Sequence, residues 1–426
     1  MHRRVLVAGA AIVALLSGTT VAVARPAPRP SPPPAPSGPA WSTTWAAAPS
    51  AAIARRPAGQ TIRNVVHTTI GGPSVRVRLT NRFGTLPVTF GHVTVALSAH
   101  AGGKRWAGTD DPSDGTVMAG TLRDVLFGGA VSITVPAGVD LVSDPVPLAV
   151  PADSDLLVSM WTPVAPGTVT NHAGAKQQSL VSPGPADQAG APGAASFAGR
   201  TGQWLYLSAV EVSGAQGTIV ALGDSITNGN GSTDGANRRY PDLLAARVAG
   251  LSGPRYGVAN SGIGGNRLLL DGGYPRADRF AVAGPSAPAR FDADVLDRAG
   301  VRTVIILIGV NDLLMSPPVT DPALIVAGLG QLTARARERG VRVIIGTITP
   351  FAGWRTWTPA AEQTRQAVNQ WIRTSGGFDG VADFDQAVRD PADVTRLATD
   401  FDGGDHLHPN DAGDQALADA VPLDRL

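Results

Sequence analysis

The sequence predicts two folded parts of different class: an all-β sandwich or jelly-roll-like domain, followed by an α/β domain with a parallel sheet. In the first half, short runs alternate apolar and polar residues and are separated by Gly, Pro, Asn and Asp, which is typical of antiparallel strands. After Gly217, wholly apolar strands alternate with helical segments, which is typical of a parallel sheet covered by helices. The length of 426 residues also exceeds the usual size of one domain. We therefore expect residues 41–216 to form the β-rich domain and residues 217–426 the α/β domain.

Residues 1–24 have the features of a signal peptide. Arg3 and Arg4 precede an apolar run from Val5 to Leu16, and small residues at Ala22 and Ala24 suit a signal-peptidase site. The run is shorter than the roughly 20 residues that a bilayer span requires. The alternative is an uncleaved N-terminal anchor. We expect the mature chain to be secreted, without stable membrane insertion once the signal is removed.

A proline-rich linker is predicted to follow over residues 25–40, because its sequence RPAPRPSPPPAPSGPA favours extended conformations and cannot build a core.

Composition indicates a globular protein and excludes several classes of function. Hydrophobic residues make up 43% of the chain and charged residues 16%, which suits packed cores. The formal net charge of +1 gives no basic field for nucleic acid, so we expect no nucleic-acid partner. The chain has no cysteine, which excludes disulfides, thiolate metal sites, a cysteine nucleophile and a lipidated cysteine. Nothing in the composition predicts an oligomeric state.

The β-rich half contains five runs with the two-residue period of strands, and a segment rich in Pro, Gly and Ala from Ser182 to Ala195 that predicts a long loop. The predicted strands are Val75–Leu79, Val93–Val95, Val131–Val135, Leu156–Ser159 and Trp204–Leu207.

The α/β half alternates four predicted strands with helices, and residues at the helix ends agree with this. Pro241 and Pro359 suit first helical turns, Thr358 suits an N-cap, and Gly340 suits a helix stop. The predicted strands are Thr218–Leu222, Tyr256–Asn260, Val301–Ile308 and Val341–Thr347, and the helices include Tyr240–Val248 and Leu324–Arg339.

Small polar loops follow three of these strands. They span residues 223–227, 261–266 and 309–312, and each contains glycine. In open parallel sheets, ligands bind at the carboxyl ends of the strands, where such loops converge. The sequence therefore predicts a functional site at this edge of the sheet.

These loops and the C-terminal segment supply the groups that acyl transfer needs: a nucleophile, a base, a group that orients the base, and donors for the oxyanion. Ser225 follows the first strand and offers a hydroxyl. Gly265 offers an unobstructed backbone N–H, and Asn311 offers a neutral amide donor. Asp405 lies three positions before His408, a spacing that lets the carboxylate bind the imidazole N–H.

Four segments together resemble the sequence blocks of the SGNH/GDSL hydrolase superfamily, in the exported bacterial esterases and acylhydrolases that carry an N-terminal β-rich domain. They are Gly223–Ile226, with Ile where the eponymous motif has Leu, Asn260–Asn266, Gly309–Asp312 and Asp405–Pro409. The resemblance implies a flavodoxin-like sheet with helices on both faces and a reaction without a cofactor.

The same resemblance implies the roles of the site residues. Ser225 is the expected nucleophile, His408 the general base and acid, and Asp405 its partner. The Ser225 N–H, the Gly265 N–H and the Asn311 side chain are the expected oxyanion hole, with Gly264 as an alternative donor.

Structural roles compete with these interpretations. An isolated Gly-Asp-Ser is commonly a turn, Asn311 can cap a helix, and Gly265 can serve only a turn. Asp224 and Asp312 are interpreted as structural hydrogen-bonding residues that support the loops.

His406 and His408 form a His-x-His pair that is an alternative metal site, although no third ligand is evident and we expect no metal. Trp354 and Trp357 follow the strand that ends near Thr347 and are candidates for substrate binding, with core packing as the alternative. The histidines of the β-rich half are interpreted as ordinary polar residues: His67, His92, His100 and His172.

The sequence thus predicts a secreted serine esterase or acylhydrolase that acts on short acyl or acetyl esters, on polysaccharide, or on lipid esters. Acyl transfer to another acceptor would use the same residues. A binding protein with a vestigial hydrolase domain is the alternative from another class, but such a protein would have no need to retain all the polar site residues together.

Overall fold

The computed structural model of this chain describes residues 40–54, 56–99, 115–253, 255–272 and 283–426. The predicted signal peptide, the predicted linker up to residue 39, and His100 lie outside these residues. None of the helices in these ranges combines the length and the hydrophobicity that a membrane-spanning helix requires.

The first part of the described chain is built of antiparallel strands, and we call residues 41–213 the β-rich region. Its strands are β1 Trp41–Ala46, β2 Ala51–Ile53, β3 Gln60–Thr68, β4 Val75–Thr80, β5 Val88–Phe90, β6 His92–Leu97, β7 Arg123–Asp124, β8 Ile133–Val135, β9 Asp140–Val142, β10 Ser154–Thr162, β11 Val169–Ala173, β12 Ser179–Val181, β13 Gly199–Thr201, β14 Gln203–Leu205 and β15 Leu207–Ser213.

In the described part of this region, the strands form a six-stranded sheet, a four-stranded sheet and two smaller sheets. The six-stranded sheet has the order β13-β12-β3-β10-β6-β7, and the four-stranded sheet has the order β1-β15-β4-β9. β14, β11 and β2 form a third sheet. The core follows the predicted alternation: Val75, Val77 and Leu79 of β4 are fully buried, and the residues between Val75 and Leu79 that alternate with them are partly exposed.

Two predicted strands of this region differ from the observed ones. The run from Trp204 to Leu207 is interrupted at Tyr206, whose φ of +58° ends β14 before β15 begins. A backbone in the left-handed region cannot continue a ladder. Val131 lies outside β8 and is 46% exposed.

The second part of the described chain is an α/β region, residues 217–426. Its strands are β16 Gly217–Gly223, β17 Tyr256–Gly262, β18 Val301–Leu307, β19 Arg342–Gly346 and β20 Gly380–Ala382. Its helices are α1 Ser225–Asn228, α2 Tyr240–Ala249, α3 Ala287–Phe291, α4 Val310–Leu314, α5 Pro322–Glu338, α6 Pro359–Thr374, α7 Phe384–Val388 and α8 Asp411–Ala420.

The five strands β16 to β20 pair in parallel in the order β17-β16-β18-β19-β20. This is the flavodoxin-like order, in which the second strand lies outside the first and the third returns on the other side. Helices flank the sheet, and β16 is buried along its whole length because it lies inside the sheet and carries no charged residue. The predicted fold class is confirmed.

The β-rich region packs directly on the parallel sheet through β1. Thr43 N–H lies 2.8 Å from Thr218 Oγ1 and 3.1 Å from the Ala299 carbonyl oxygen. A Cβ on Gly257 would lie 2.1 Å from the Thr43 carbonyl oxygen, so only glycine allows β17 to approach β1 this closely. The predicted division between residues 216 and 217 falls between β15 and β16, and it stays a prediction.

Candidate active site

The turn that carries Ser225 is formed at the carboxyl end of β16. Asp224 caps α1 by accepting a hydrogen bond from the Ile226 N–H at 3.0 Å. A Cβ on Gly223 would lie 2.0 Å from Thr227 Oγ1, so glycine lets α1 fold back tightly against the strand end. Ser225, the first residue of α1, is 3% exposed.

The structure brings Ser225, His408 and Asp405 together in hydrogen-bonding order. His408 Nε2 lies 2.8 Å from Ser225 Oγ, and His408 Nδ1 lies 2.6 Å from Asp405 Oδ2. Because the carboxylate only accepts, Nδ1 donates to it, which leaves Nε2 free to accept from the serine hydroxyl. The arrangement can remove a proton from Ser225 Oγ.

The loop of Asp405 holds this carboxylate and the imidazole in one orientation. Asp405 Oδ1 accepts the backbone N–H groups of Leu407 at 3.0 Å and His408 at 2.9 Å. Burial raises the pKa of Asp405, but the hydrogen bonds from the His408 backbone and ring outweigh it, so the net pKa lies below its ordinary value. Asp405 is therefore ionised near neutral pH.

Two further loops lie beside Ser225 because of the strand register. Gly223 at the end of β16 pairs with Gly262 of β17 on one side and with Leu307 of β18 on the other. The loops that carry Gly265 and Asn311 therefore start at the same sheet edge, on either side of the turn that carries Ser225.

Three hydrogen-bond donors are available in these loops. Among the described residues, neither the Ser225 N–H nor the Gly265 N–H has a hydrogen-bond partner. Gly265 has a φ of +75°, whereas Gly264 does not lie in the left-handed region. Asn311 Nδ2 donates one hydrogen to the Asn266 carbonyl oxygen at 3.0 Å, which fixes the amide and leaves its second hydrogen for another acceptor.

Asp224 and Asp312 are buried and accept hydrogen bonds from backbone N–H groups of the loops, as expected for residues with a structural role. The Asp312 carboxylate accepts the N–H groups of Leu268 at 2.7 Å and Leu269 at 2.9 Å. Burial, with the charge of Asp312 adding to it, raises the pKa of Asp224 to about 7 in spite of the bond from Ile226. Near neutral pH, Asp224 therefore carries a partial charge beside Ser225.

Arg290 is a supporting residue that the sequence did not identify. Its guanidinium donates to the Gly223 carbonyl oxygen at 2.9 Å, to the Ser261 carbonyl oxygen at 2.8 Å and to Asn266 Oδ1 at 3.0 Å. It thereby joins the first two loops from inside the protein. No local pattern identifies its role at the loops, because these three partners lie 24 to 67 positions away in the chain.

Of the two tryptophans, Trp354 lies beside His408. Their ring centroids are 6.0 Å apart, and the rings meet edge to face at 86°. The Arg355 guanidinium carbon lies 4.7 Å from the centroid of the Trp354 ring. Trp357 packs against the core of the α/β region, and its Nε1 is buried without a partner among the described residues.

His406 does not join His408 in one site. Its Nδ1 lies 2.6 Å from Asp402 Oδ2, and its side chain is 51% exposed. Each histidine therefore has its own carboxylate partner. Within residues 40–426, apart from the undescribed gaps, no group of three or more His, Cys, Asp or Glu residues is arranged to hold a metal ion.

Part of the α/β region matches a known protein family. Residues 221–416 match the GDSL-like Lipase/Acylhydrolase family. Among curated proteins, none was found to match the chain.

Solved structures similar to this chain include three enzymes. A lipase/acylhydrolase from Enterococcus faecalis is 20% identical with a TM-score of 0.37, over 48% of this chain and 92% of the other. A GDSL-like lipase from Bacteroides thetaiotaomicron is 18% identical with a TM-score of 0.36, over 48% and 85%. A family two carbohydrate esterase from Clostridium thermocellum is 13% identical with a TM-score of 0.34, over 86% and 91%.

Proposed function

We propose that this chain, whose residues 221–416 match the GDSL-like Lipase/Acylhydrolase family, is an enzyme that cleaves carboxylic esters through an acyl-enzyme on Ser225. The observation that carries the proposal is the line of contacts from Ser225 Oγ to His408 at 2.8 Å and from His408 to Asp405 at 2.6 Å. A nucleophile, a base and an orienting carboxylate in this order are the requirement for serine acyl transfer.

The first step forms the acyl-enzyme. Ser225 Oγ attacks the ester carbonyl carbon while His408 Nε2 takes its proton, which gives a tetrahedral intermediate and an imidazolium. Asp405 stabilises this imidazolium through Nδ1. His408 then gives the proton to the leaving oxygen, the carbon–oxygen bond breaks, and the alcohol departs.

The second step releases the acid. His408 takes a proton from water, the resulting hydroxide attacks the acyl carbon, and the proton returns to Ser225 Oγ as the acid leaves. In both intermediates the negative charge develops on the former carbonyl oxygen. The Ser225 N–H, the Gly265 N–H and the second Asn311 amide hydrogen are donors suited to this charge.

We propose short acyl or acetyl esters as substrates, carried by a small molecule, a polysaccharide or a lipid. Trp354 supports this, because its ring borders His408 and offers an apolar surface to an acyl chain or a sugar. Trp357 is the second proposed substrate-binding residue on the same loop. The signal peptide proposed for residues 1–24 would direct the enzyme to secretion. Acyl transfer to another acceptor would use the same first step.

The test is hydrolysis of p-nitrophenyl acetate, butyrate and octanoate, and of acetylated xylan, by wild type, Ser225→Ala and Ser252→Ala. Ser252 is an exposed serine between α2 and β17, so its replacement is a matched control. We expect Ser225→Ala to lose activity by about 10³-fold or more while Ser252→Ala keeps wild-type activity. Equal activity of wild type and a folded Ser225→Ala would contradict the proposal. Adding glycerol as an alternative acceptor distinguishes hydrolysis from acyl transfer. If the enzyme is a hydrolase, the free acid should be the sole acyl product.

A further inference from the structure

A histidine of the β-rich region makes direct contact with the turn that carries Ser225. His172 lies on β11, is 3% exposed, and has Nδ1 2.7 Å from the Ala48 carbonyl oxygen. Its Nε2 lies 2.9 Å from Oδ1 of Asn228. Asn228 belongs to the α/β region and is the last residue of α1, three positions after Ser225.

The Asn228 side chain is held by the β-rich region at both ends of its amide. Its Nδ2 donates to the Gly174 carbonyl oxygen at 2.9 Å, and its Oδ1 faces His172. Asn228 is 2% exposed, so water does not compete for these contacts. Removing the His172 side chain would leave Asn228 Oδ1 buried without a hydrogen bond.

The His172 ring contacts Asn228 as a neutral imidazole with its hydrogen on Nε2. Burial lowers the pKa of His172, and the charges of Arg239 and Arg290 lower it further. With its one hydrogen on Nε2, the ring donates to Asn228 Oδ1 while Asn228 Nδ2 still donates to the Gly174 carbonyl oxygen. Nδ1 then has no hydrogen for the Ala48 carbonyl oxygen. The ring also packs on Trp204, with centroids 5.3 Å apart, which limits its rotation.

The position of Asn228 determines the position of Ser225 because α1 is short. A helix of four residues has no stability of its own, so its orientation depends on outside contacts. The Ser225 carbonyl oxygen accepts the N–H groups of Gly229 at 3.0 Å and Asn230 at 2.9 Å, the two residues directly after Asn228. A Cβ on Gly262 would lie 2.3 Å from the Asn228 nitrogen, so this end of the turn also packs against β17.

We propose that His172 is a positioning residue for Ser225: acting through Asn228, it holds the nucleophile turn, so that the β-rich region completes the active site. The inference rests on the esterase function proposed above. It assigns a role in the reaction to a residue outside the GDSL-like domain, which spans residues 221–416.

Three substitutions at His172 separate positioning from general stability. A glutamine places its terminal amide where Nε2 lies and can donate to Asn228 Oδ1, whereas asparagine is too short and alanine has no polar group. We expect His172→Asn and His172→Ala to lower kcat on p-nitrophenyl acetate by about 10- to 100-fold, with KM changed by less than about twofold. His172→Gln should keep at least about half of the wild-type kcat. Equal loss in all three variants that follows their melting temperatures would overturn the proposal.

A double-mutant cycle tests whether His172 acts through Asn228. If it does, His172→Ala combined with Asn228→Ala should lose no more activity than the more damaging single variant, because the shared contact is already broken. Losses that multiply would show that the two residues act independently, which contradicts the proposal.

Hydrogen–deuterium exchange measures the same contact without catalysis. We expect the peptide that spans residues 224–231 to exchange faster in His172→Ala and His172→Asn than in wild type and His172→Gln. A peptide over β19 should not change and serves as the internal control. Unchanged exchange at 224–231 in His172→Ala refutes the positioning role. A wild type that cleaves no ester refutes the proposed function, while the exchange result still decides the contact between the two regions.

Discussion

Replacing Asp405 by asparagine tests the orientation of the proposed base. Asp405 Oδ1 accepts two backbone N–H groups, so the asparagine oxygen will occupy that position and its Nδ2 will face His408 Nδ1. Nδ1 must then accept, and the ring hydrogen moves to Nε2, which faces Ser225 Oγ at 2.8 Å. In that tautomer, His408 cannot take the serine proton.

The size of the loss follows from two contributions. The variant loses the charge-assisted hydrogen bond from the His408 imidazolium to Asp405, which is worth about 1.5–3 kcal/mol. In addition, keeping the hydrogen on His408 Nδ1 while it faces the N–H of the new amide costs about 1–3 kcal/mol. Together these give about 2.5–6 kcal/mol, which corresponds to a fall of about 10² to 10⁴ in kcat/KM. Because the Asp405 side chain is 43% exposed, solvent screening favours the lower part of this range.

The chain contains a matched control in Asp402→Asn. Asp402 binds His406 Nδ1 at 2.6 Å and accepts the backbone N–H groups of Gly404 at 2.8 Å and His406 at 3.0 Å, which is nearly the same local arrangement. His406 does not contact Ser225, so we expect Asp402→Asn to change kcat/KM on p-nitrophenyl acetate by less than about threefold. Equal losses in the two variants, or a folded Asp405→Asn within about fivefold of wild type, would refute the reasoning.

The other predictions concern the proposed oxyanion donor Asn311, a buried charge cluster and pH. Asn311→Ala should lower kcat by about 10²–10³-fold with a small change in KM, and a loss below about fivefold would remove it from the oxyanion hole. Asp294→Asn should destabilise the fold by about 3–5 kcal/mol in urea unfolding, because this fully buried carboxylate pairs with Arg82 at 2.8 Å and with two further arginines; a change below about 1 kcal/mol would contradict this. Burial lowers the pKa of His67 and His92, but two aspartates beside each ring outweigh it, so both pKa values lie above the ordinary 6.5. The stability that these two ion-pair clusters contribute is thus complete below pH 6.5 and is lost as the pH rises through the raised pKa values. Replacing both histidines by glutamine should therefore make the melting temperature less dependent on pH over that window.

Much of the fold and of the candidate site follows from patterns that are local in the chain. The alternation in β4 and the apolar run of β16 identify strands because side-chain burial repeats with the strand period. The loop of Ser225 could be assigned to the functional edge because carboxyl ends of parallel strands share that edge. Asp405 and His408 are three positions apart, so their contact is also a local property.

The tertiary structure alone decided which distant residues support these groups. Arg290 reaches the Gly223 carbonyl oxygen across 67 positions, and His172 reaches Asn228 across 56 positions and from another region of the fold. Neither residue has a periodic or motif context, and a histidine on a strand is by itself an ordinary polar residue. Local sequence determined the kind of groups at the site and the elements that carry them. The contacts that support these groups depend on how the two hydrophobic cores pack together, because residues far apart in the chain meet only when folding buries them side by side.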